Sequence, residues 1–179
     1  MKILITGKPR SGKTSLVKKI ISTLPNISYG GFFTEEIQEN GVRVGFKIIT
    51  TFGEQGILAH QNYKGPLRIS KYRVNLTDLE TIGINSLYRA LKEKDLIIID
   101  EIGKMELMSD NFKSAIQEIF NRVSRQAIIA TIPISDIPFL KELKSRYDVI
   151  IYDTNKQKIE DIIKNCLESL TKWHISQPK

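Results

Sequence analysis

Apolar and polar positions divide the 179-residue chain into short strands and amphipathic helices that mostly alternate. Ile3-Leu4-Ile5 is a short apolar run, and after a polar stretch bounded by glycines, Leu16, Val17, Ile20, Ile21 and Leu24 recur at helical spacing. Pro25-Asn26 is expected to stop that helix. The texture then changes. Phe32-Phe33-Thr34-Glu35-Glu36-Ile37 reads as a strand, Asn40-Gly41 as a tight hairpin turn, and residues 42–50 as the returning strand. Gly53 and Gly56 turn the chain again, Ile57-Leu58-Ala59 adds a third short strand, and Tyr72-Arg73-Val74-Asn75 is placed to return to the sheet. An antiparallel meander is therefore expected over about residues 31–75.

Beyond the meander, Leu79, Ile82, Ile84, Leu87 and Leu91 predict a helix over 78–91 with Thr77 as its N-cap. Residues 95–101, Asp-Leu-Ile-Ile-Ile-Asp-Glu, form a continuous apolar run ending in two carboxylates, the pattern of a buried parallel strand. Ser109 is expected to cap a helix carrying Phe112, Ile116, Ile119, Phe120 and Val123, and residues 126–131 form another buried strand. Pro133 and Pro138 bracket a loop before a short helix ending at Ser145, and Val149-Ile150-Ile151-Tyr152 is the last strand. The final helix places Ile159, Ile162, Ile163, Cys166, Leu167 and Leu170 on one face, which makes Cys166 a core residue; residues beyond Thr171 are expected to be loose. Alternation outside one meander predicts an α/β fold with a central, largely parallel sheet flanked by helices. The length suits a single domain, residues 1–179.

The chemistry begins in the stretch between the first strand and the first helix. Gly7-Lys8-Pro9-Arg10-Ser11-Gly12-Lys13-Thr14 follows the pattern G-x-x-x-x-G-K-[ST] in the strand–loop–helix context that this pattern requires. Backbone N–H groups there form a nest at the positive end of a helix, which suits oxyanions. Gly7 permits the turn out of the strand, and Gly12 allows close backbone approach to phosphates. Lys13 can reach the β- and γ-phosphates, and the Thr14 hydroxyl is placed to ligate Mg²⁺. The second candidate stretch for nucleotide binding is Leu96, Ile97, Ile98, Ile99, Asp100, Glu101, Ile102 and Gly103. Asp100 closes a buried strand and can hold Mg²⁺ opposite Thr14; Glu101 beside it can polarise a water for attack on the γ-phosphate. Lys13 and Glu101 are thus the candidate catalytic residues. Thr6, Asp100 and Thr131 each close a strand, so their side chains are expected to converge on one crevice at the carboxyl edge of the sheet.

Charge and composition change this picture little. The formal net charge of +7 permits polyanion binding, but Lys and Arg are dispersed, so nucleic acid is allowed as a partner without being indicated. Hydrophobic residues at 41% and charged residues at 26% indicate a globular chain, and no apolar run approaches the ~20 residues that span a bilayer. One cysteine excludes an internal disulfide framework, and the short N-terminal apolar run is unlike a signal peptide; a cytoplasmic location is expected.

The stretch Leu96-Ile-Ile-Ile-Asp-Glu-Ile-Gly-Lys-Met-Glu-Leu107, followed by Ser109 and Phe112, resembles the DEIGxMEL signature of the THEP1 family of nucleoside-triphosphatases. The segments Gly31-Phe-Phe-Thr-Glu-Glu36, Gly41-Val-Arg-Val-Gly-Phe46 and Lys71-Tyr-Arg-Val-Asn75 match the same family in order and spacing, and the resemblance runs from Met1 to about Thr131. It implies a RecA-like P-loop domain in which the 126–131 strand lies between the first strand and the Asp100 strand, bringing Thr131 near the γ-phosphate. It also implies Mg²⁺-dependent hydrolysis of ATP, GTP, CTP and UTP to the diphosphate and phosphate with little base selectivity. Arg10 stands in the loop where the family usually has a glycine. Lys104 and Glu106 lie in the family signature, either lining the site or salt-bridged, and Glu35 in another; Arg146 or another arginine is a candidate for stabilising transition-state charge. His60, His174 and Trp173 read as surface residues. Two other function classes share the loop. A nucleotide or small-molecule kinase would carry an arginine-dense lid, which is not evident, and a nucleotide-controlled nucleic-acid-binding module would be stimulated by its polyanion.

Overall fold

The computed structural model describes residues 1–24, 26–122 and 125–177. The chain opens with β1 (Lys2–Gly7) and α1 (Lys13–Thr23), then runs through β2 (Tyr29–Glu39), β3 (Val42–Thr50), β4 (Gln55–His60), β5 (Arg68–Ile69) and β6 (Tyr72–Val74). A continuous helical stretch follows, made of α2 (Leu76–Asp78), a π-helical segment (Leu79–Ile84) and α3 (Asn85–Glu93). The remainder alternates: β7 (Leu96–Asp100), a 3-10 turn (Glu106–Met108), α4 (Asp110–Asn121), β8 (Ala127–Pro133), α5 (Pro138–Ser145), β9 (Val149–Asp153) and α6 (Ile159–Ile175).

These strands hydrogen-bond into one sheet in the order β5-β6-β4-β3-β2-β7-β8-β1-β9. From β2 to β9 every pairing is parallel; from β2 to β5 every pairing is antiparallel. The hairpin at Asn40-Gly41 has positive φ at both residues, 48° and 76°, the type I′ geometry that matches strand twist. Strand β8 lies between β1 and β7, as the resemblance implies.

Side-chain alternation along the parallel strands makes two cores. Ile3, Ile5, Leu96, Ile98 and Ile129 pack on one face with α1 and α6, while Leu4, Ile97, Ile99, Ile128 and Ala130 pack on the other with α3 and α4. Each fully buried Ile or Leu contributes roughly 1.5–3 kcal/mol, so both layers are held by apolar burial. Cys166 belongs to the first layer, and burial pushes its thiol up to about 12.

Several boundaries differ from expectation. The helix after the meander is capped by Asn75, whose side chain accepts the Asp78 N–H, because β6 delivers Asn75 in an extended conformation; Thr77 already lies inside the first turn. Helix α6 continues to Ile175 because Trp173 packs against the α1–α6 core, so residues just past Thr171 are helical and Trp173 is half-buried. The first helix ends at Thr23, with Leu24 N–H still bonding Ile20 O; Pro25, and Val123 after α4, lie outside the described residues.

Candidate active site

The phosphate-loop sequence connects β1 to α1 at the carboxyl edge of the parallel strands. Gly12 caps α1 with φ 83°, a left-handed conformation that glycine adopts without steric cost. Gly7 is required for space: a Cβ there would collide with the hydroxyls of Thr154 and Ser11. Thr154 Oγ1 lies 2.8 Å from Ser11 Oγ, and Thr154 N–H donates to Thr6 O at 2.9 Å, so the turn after β9 clamps the loop from behind. Lys13 is buried with its ammonium 3.4 Å from both Gly7 O and Lys8 O, inside the loop it belongs to.

The parallel register brings the rest of the site to this point. Phe33 pairs with Asp100 across β2 and β7, and Ile99 pairs with Ala130 across β7 and β8. Thr14 Oγ1 donates to Asp100 Oδ2 at 2.7 Å, and Thr131 Oγ1 donates to Asp100 Oδ1. Asp100 is 1% exposed, and this burial, only partly offset by the two hydroxyls, pushes its carboxyl up to about 6. A carboxylate held this dry is favoured by positive charge brought close to it. Glu101 stands next to it, with its carboxylate 3.4 Å from the Lys13 ammonium.

Thr14 and Asp100 present hard oxygen donors, which suit Mg²⁺. Among the described residues no three His, Cys, Asp or Glu side chains gather as a metal cage. A divalent ion here would take its other ligands from nucleotide and water, the usual arrangement for Mg²⁺.

A family model described as NTPase matches residues 2–167. The nucleoside-triphosphatase THEP1 of Thermotoga sp. (strain RQ2) is 51% identical over 170 residues, covering 95% of each chain. The crystal structure of THEP1 from Aquifex aeolicus superposes with a TM-score of 0.80 at 37% identity, covering 93% of this chain and 99% of that one. The solution structure of a human cancer-related nucleoside triphosphatase gives 0.78 at 28% identity, covering 99% of each chain. The chain belongs to the THEP1 family of nucleoside-triphosphatases.

Within this THEP1-family fold the expected site residues separate into those brought together and those not. Gly7, Lys8, Pro9, Arg10, Ser11, Gly12, Lys13 and Thr14 form the loop; Asp100 and Glu101 meet it, and Thr131 reaches it through its bond to Asp100. Leu96, Ile97, Ile98, Ile99 and Ile102 are fully buried core side chains; they carry the site and do not line it. Thr6 does not join Asp100 and Thr131. It shares the parity of Leu4, so it faces the α3–α4 layer, where its buried hydroxyl has no hydrogen-bond partner among the described residues.

Arg10 explains its own oddity. Its φ is 62°, so the loop takes a left-handed backbone here, a conformation that glycine adopts without steric cost. Its side chain is exposed and leans toward Glu36 at 3.9 Å, a carboxylate already bonded to Arg43 at 2.6 Å and held below its usual range chiefly by that bond. Glu35 bridges Lys18 of α1 at 2.8 Å and Lys47 of β3 at 3.7 Å. Arg146 is bonded to Asp148, Asn121 and Phe120 O at the opposite edge of the sheet, where Lys2 pairs with Val149, so it is structural. Lys104 is exposed, while Glu106 is buried without a salt bridge among the described residues. Sequence reasoning missed Thr154; its signal is that it follows directly on a strand that pairs with β1.

Proposed function

We propose that this chain hydrolyses nucleoside triphosphates, ATP, GTP, CTP and UTP alike, to the diphosphate and phosphate in a Mg²⁺-dependent reaction. The observation that carries the reading is the convergence of Lys13, Thr14, Asp100 and Glu101 at one strand edge. Loop N–H groups and the α1 N-terminus bind the β- and γ-phosphates, and the Lys13 ammonium moves from the loop carbonyls onto their oxygens. That move releases Glu101 from its ion pair. Glu101 then orients a water and accepts its proton as the water oxygen bonds to the γ-phosphorus and the bond to the β–γ bridging oxygen breaks. Bound Mg²⁺, held through Thr14 and Asp100, would neutralise charge on the phosphate oxygens. All the contacts in this reading are to phosphate, and for that reason it assigns low base selectivity.

The test is phosphate release from the four triphosphates, with and without Mg²⁺, and with no acceptor added. The expected result is release from all four that requires Mg²⁺, and loss of turnover with retained nucleotide binding in Glu101→Gln. Unchanged hydrolysis in that variant would sink the mechanism, and no release without an acceptor would point to phosphoryl transfer to a second substrate.

A further inference from the structure

Glu106 is a buried acid for which the hydrolysis reading has no task. It opens the 3-10 turn that follows Gly103-Lys104-Met105 and is 4% exposed. Its Oε2 accepts the Gly103 N–H at 3.0 Å, and Gly103 O accepts the Leu107 N–H at 3.0 Å. A Cβ at Gly103 would stand 2.8 Å from Glu101 Oε1 and 2.8 Å from Glu106 Oε2, so any larger residue there would push the carboxyl groups aside. The two carboxyl groups thus flank a single backbone position. Burial first, and the Glu101 charge second, push Glu106 up to about 8. A carboxyl that keeps its proton at neutral pH can sit beside a carboxylate without repelling it.

The rest of the segment is anchored at its two ends. Ile102 N–H bonds Thr131 O at 2.8 Å and its side chain is buried. At the far end Met105 and Met108 pack on the cluster of Ala59, Tyr72 and Val74, and Ser109 Oγ donates to Glu80 at 2.6 Å. Between those anchors the bond from the Gly103 N–H to Glu106 is an internal brace, and the Glu101 carboxyl lies beside the same residue.

We propose that Glu106 is a positioning residue for hydrolysis: as the brace of the segment after β7 it fixes Gly103 and so sets the direction of the Glu101 carboxylate. The inference rests on the reading of Glu101 as the residue that orients water. The experiment measures kcat and KM for ATP with Mg²⁺ in the wild type, Glu106→Ala, Glu106→Gln, Glu101→Gln, and Glu106→Ala combined with Glu101→Gln. Because a misplacement of about 1 Å costs on the order of 100-fold, Glu106→Ala should lower kcat about tenfold or more while KM stays within about twofold. Glu106→Gln, whose amide oxygen still accepts the Gly103 N–H, should restore kcat to within about threefold of the wild type. In the Glu101→Gln background Glu106→Ala should cost nothing further, because the group it positions is gone. Wild-type kcat in Glu106→Ala, equal loss in the Ala and Gln variants, or an added loss on top of Glu101→Gln would each overturn the inference. If Glu106→Ala does not fold, Gly103→Ala wedges a methyl between the carboxyl groups and should lower kcat at constant KM; wild-type kcat there would overturn it as well. Wild-type turnover in Glu101→Gln alone would remove the role of Glu101 and this inference with it, a failure visible without any change at Glu106.

Discussion

The sheet has two halves built from similar strands, and the candidate site lies at the parallel one. In the parallel half, β7, β8, β1 and β9 run the same way, so register sets Asp100 level with Thr131, while Gly7, level with Pro133 and beside Thr154, comes out further along at the same edge. In the antiparallel wing, β3, β4, β6 and β5 reverse at each step, so successive strand ends alternate between edges and no such row can form. Strand β2 belongs to both. It pairs with β7 only as far as Phe33–Asp100 and then projects beyond to Glu39, which sets Glu35 and Glu36 against Lys18 and Arg10 beside the loop. The lesson is that strand direction decides where polar side chains can be concentrated, while apolar burial holds both halves together.

Asp100→Asn, in the parallel half, should lower kcat by about 10²–10³-fold, the usual loss for an electrostatic group at a reacting centre. The same variant should leave the nucleotide-free protein at least as stable as the wild type in thermal unfolding, because burial makes the ionised Asp100 costly. Leu58→Ala, in the wing, should behave in the opposite way: it removes a 1% exposed core side chain, so chemical denaturation should show a loss of about 2–5 kcal/mol, with kcat per folded molecule within about twofold.

A smaller effect separates the two buried acids from the ion pairs of the wing. The folded chain raises Glu106 from an ordinary 4.5 to about 8, with Glu101 and Asp100 the charges facing it, so it binds this proton more tightly than the unfolded chain. Stability from this group is complete below about 4.5 and is lost as pH rises toward 8. Glu106→Gln should therefore gain thermal stability relative to the wild type as pH rises from 5 to 8, and a constant difference would show that Glu106 does not titrate in that window. Glu35 and Glu36, held below their usual range by Lys18 and Arg43, contribute stability that is lost only as pH falls through the acidic range. The smallest effect is expected at Arg10. Replacing it with glycine at φ 62° relieves a left-handed backbone cost of about 1 kcal/mol and gives up the contact with Glu36, so the melting temperature should rise slightly or hold. A marked fall would mean that the ion pair matters more than the backbone.

Much of the site was legible because its signals are local. The glycine spacing of residues 7–14 reports loop geometry directly, and the run ending at Asp100-Glu101 reports a buried strand with carboxylates at its end. The Asn40-Gly41 hairpin and the Ser109 cap, which accepts the Phe112 N–H at 2.9 Å, are local for the same reason. What went unread depended on packing. The parity that turns Thr6 away from Asp100 follows from which residues of β1 face which helix layer. The clamp of Thr154 on Gly7 and Ser11 joins positions more than 140 apart in the chain. The burial of Glu106, and the confinement of Leu96 through Ile99 to the core, depend on what lies above and below β7.

Taken alone, the sequence determined the strand–loop–helix at the start, the type I′ turn, the apolar strands and the family, because each of these is written in neighbouring residues or in short motifs. The tertiary structure decided that Asp100 is shared by Thr14 and Thr131, that Arg146 is committed elsewhere, and that Glu106 is a buried brace. Those outcomes depend on parallel register and on desolvation by distant segments, and neither can be read from the residues on either side.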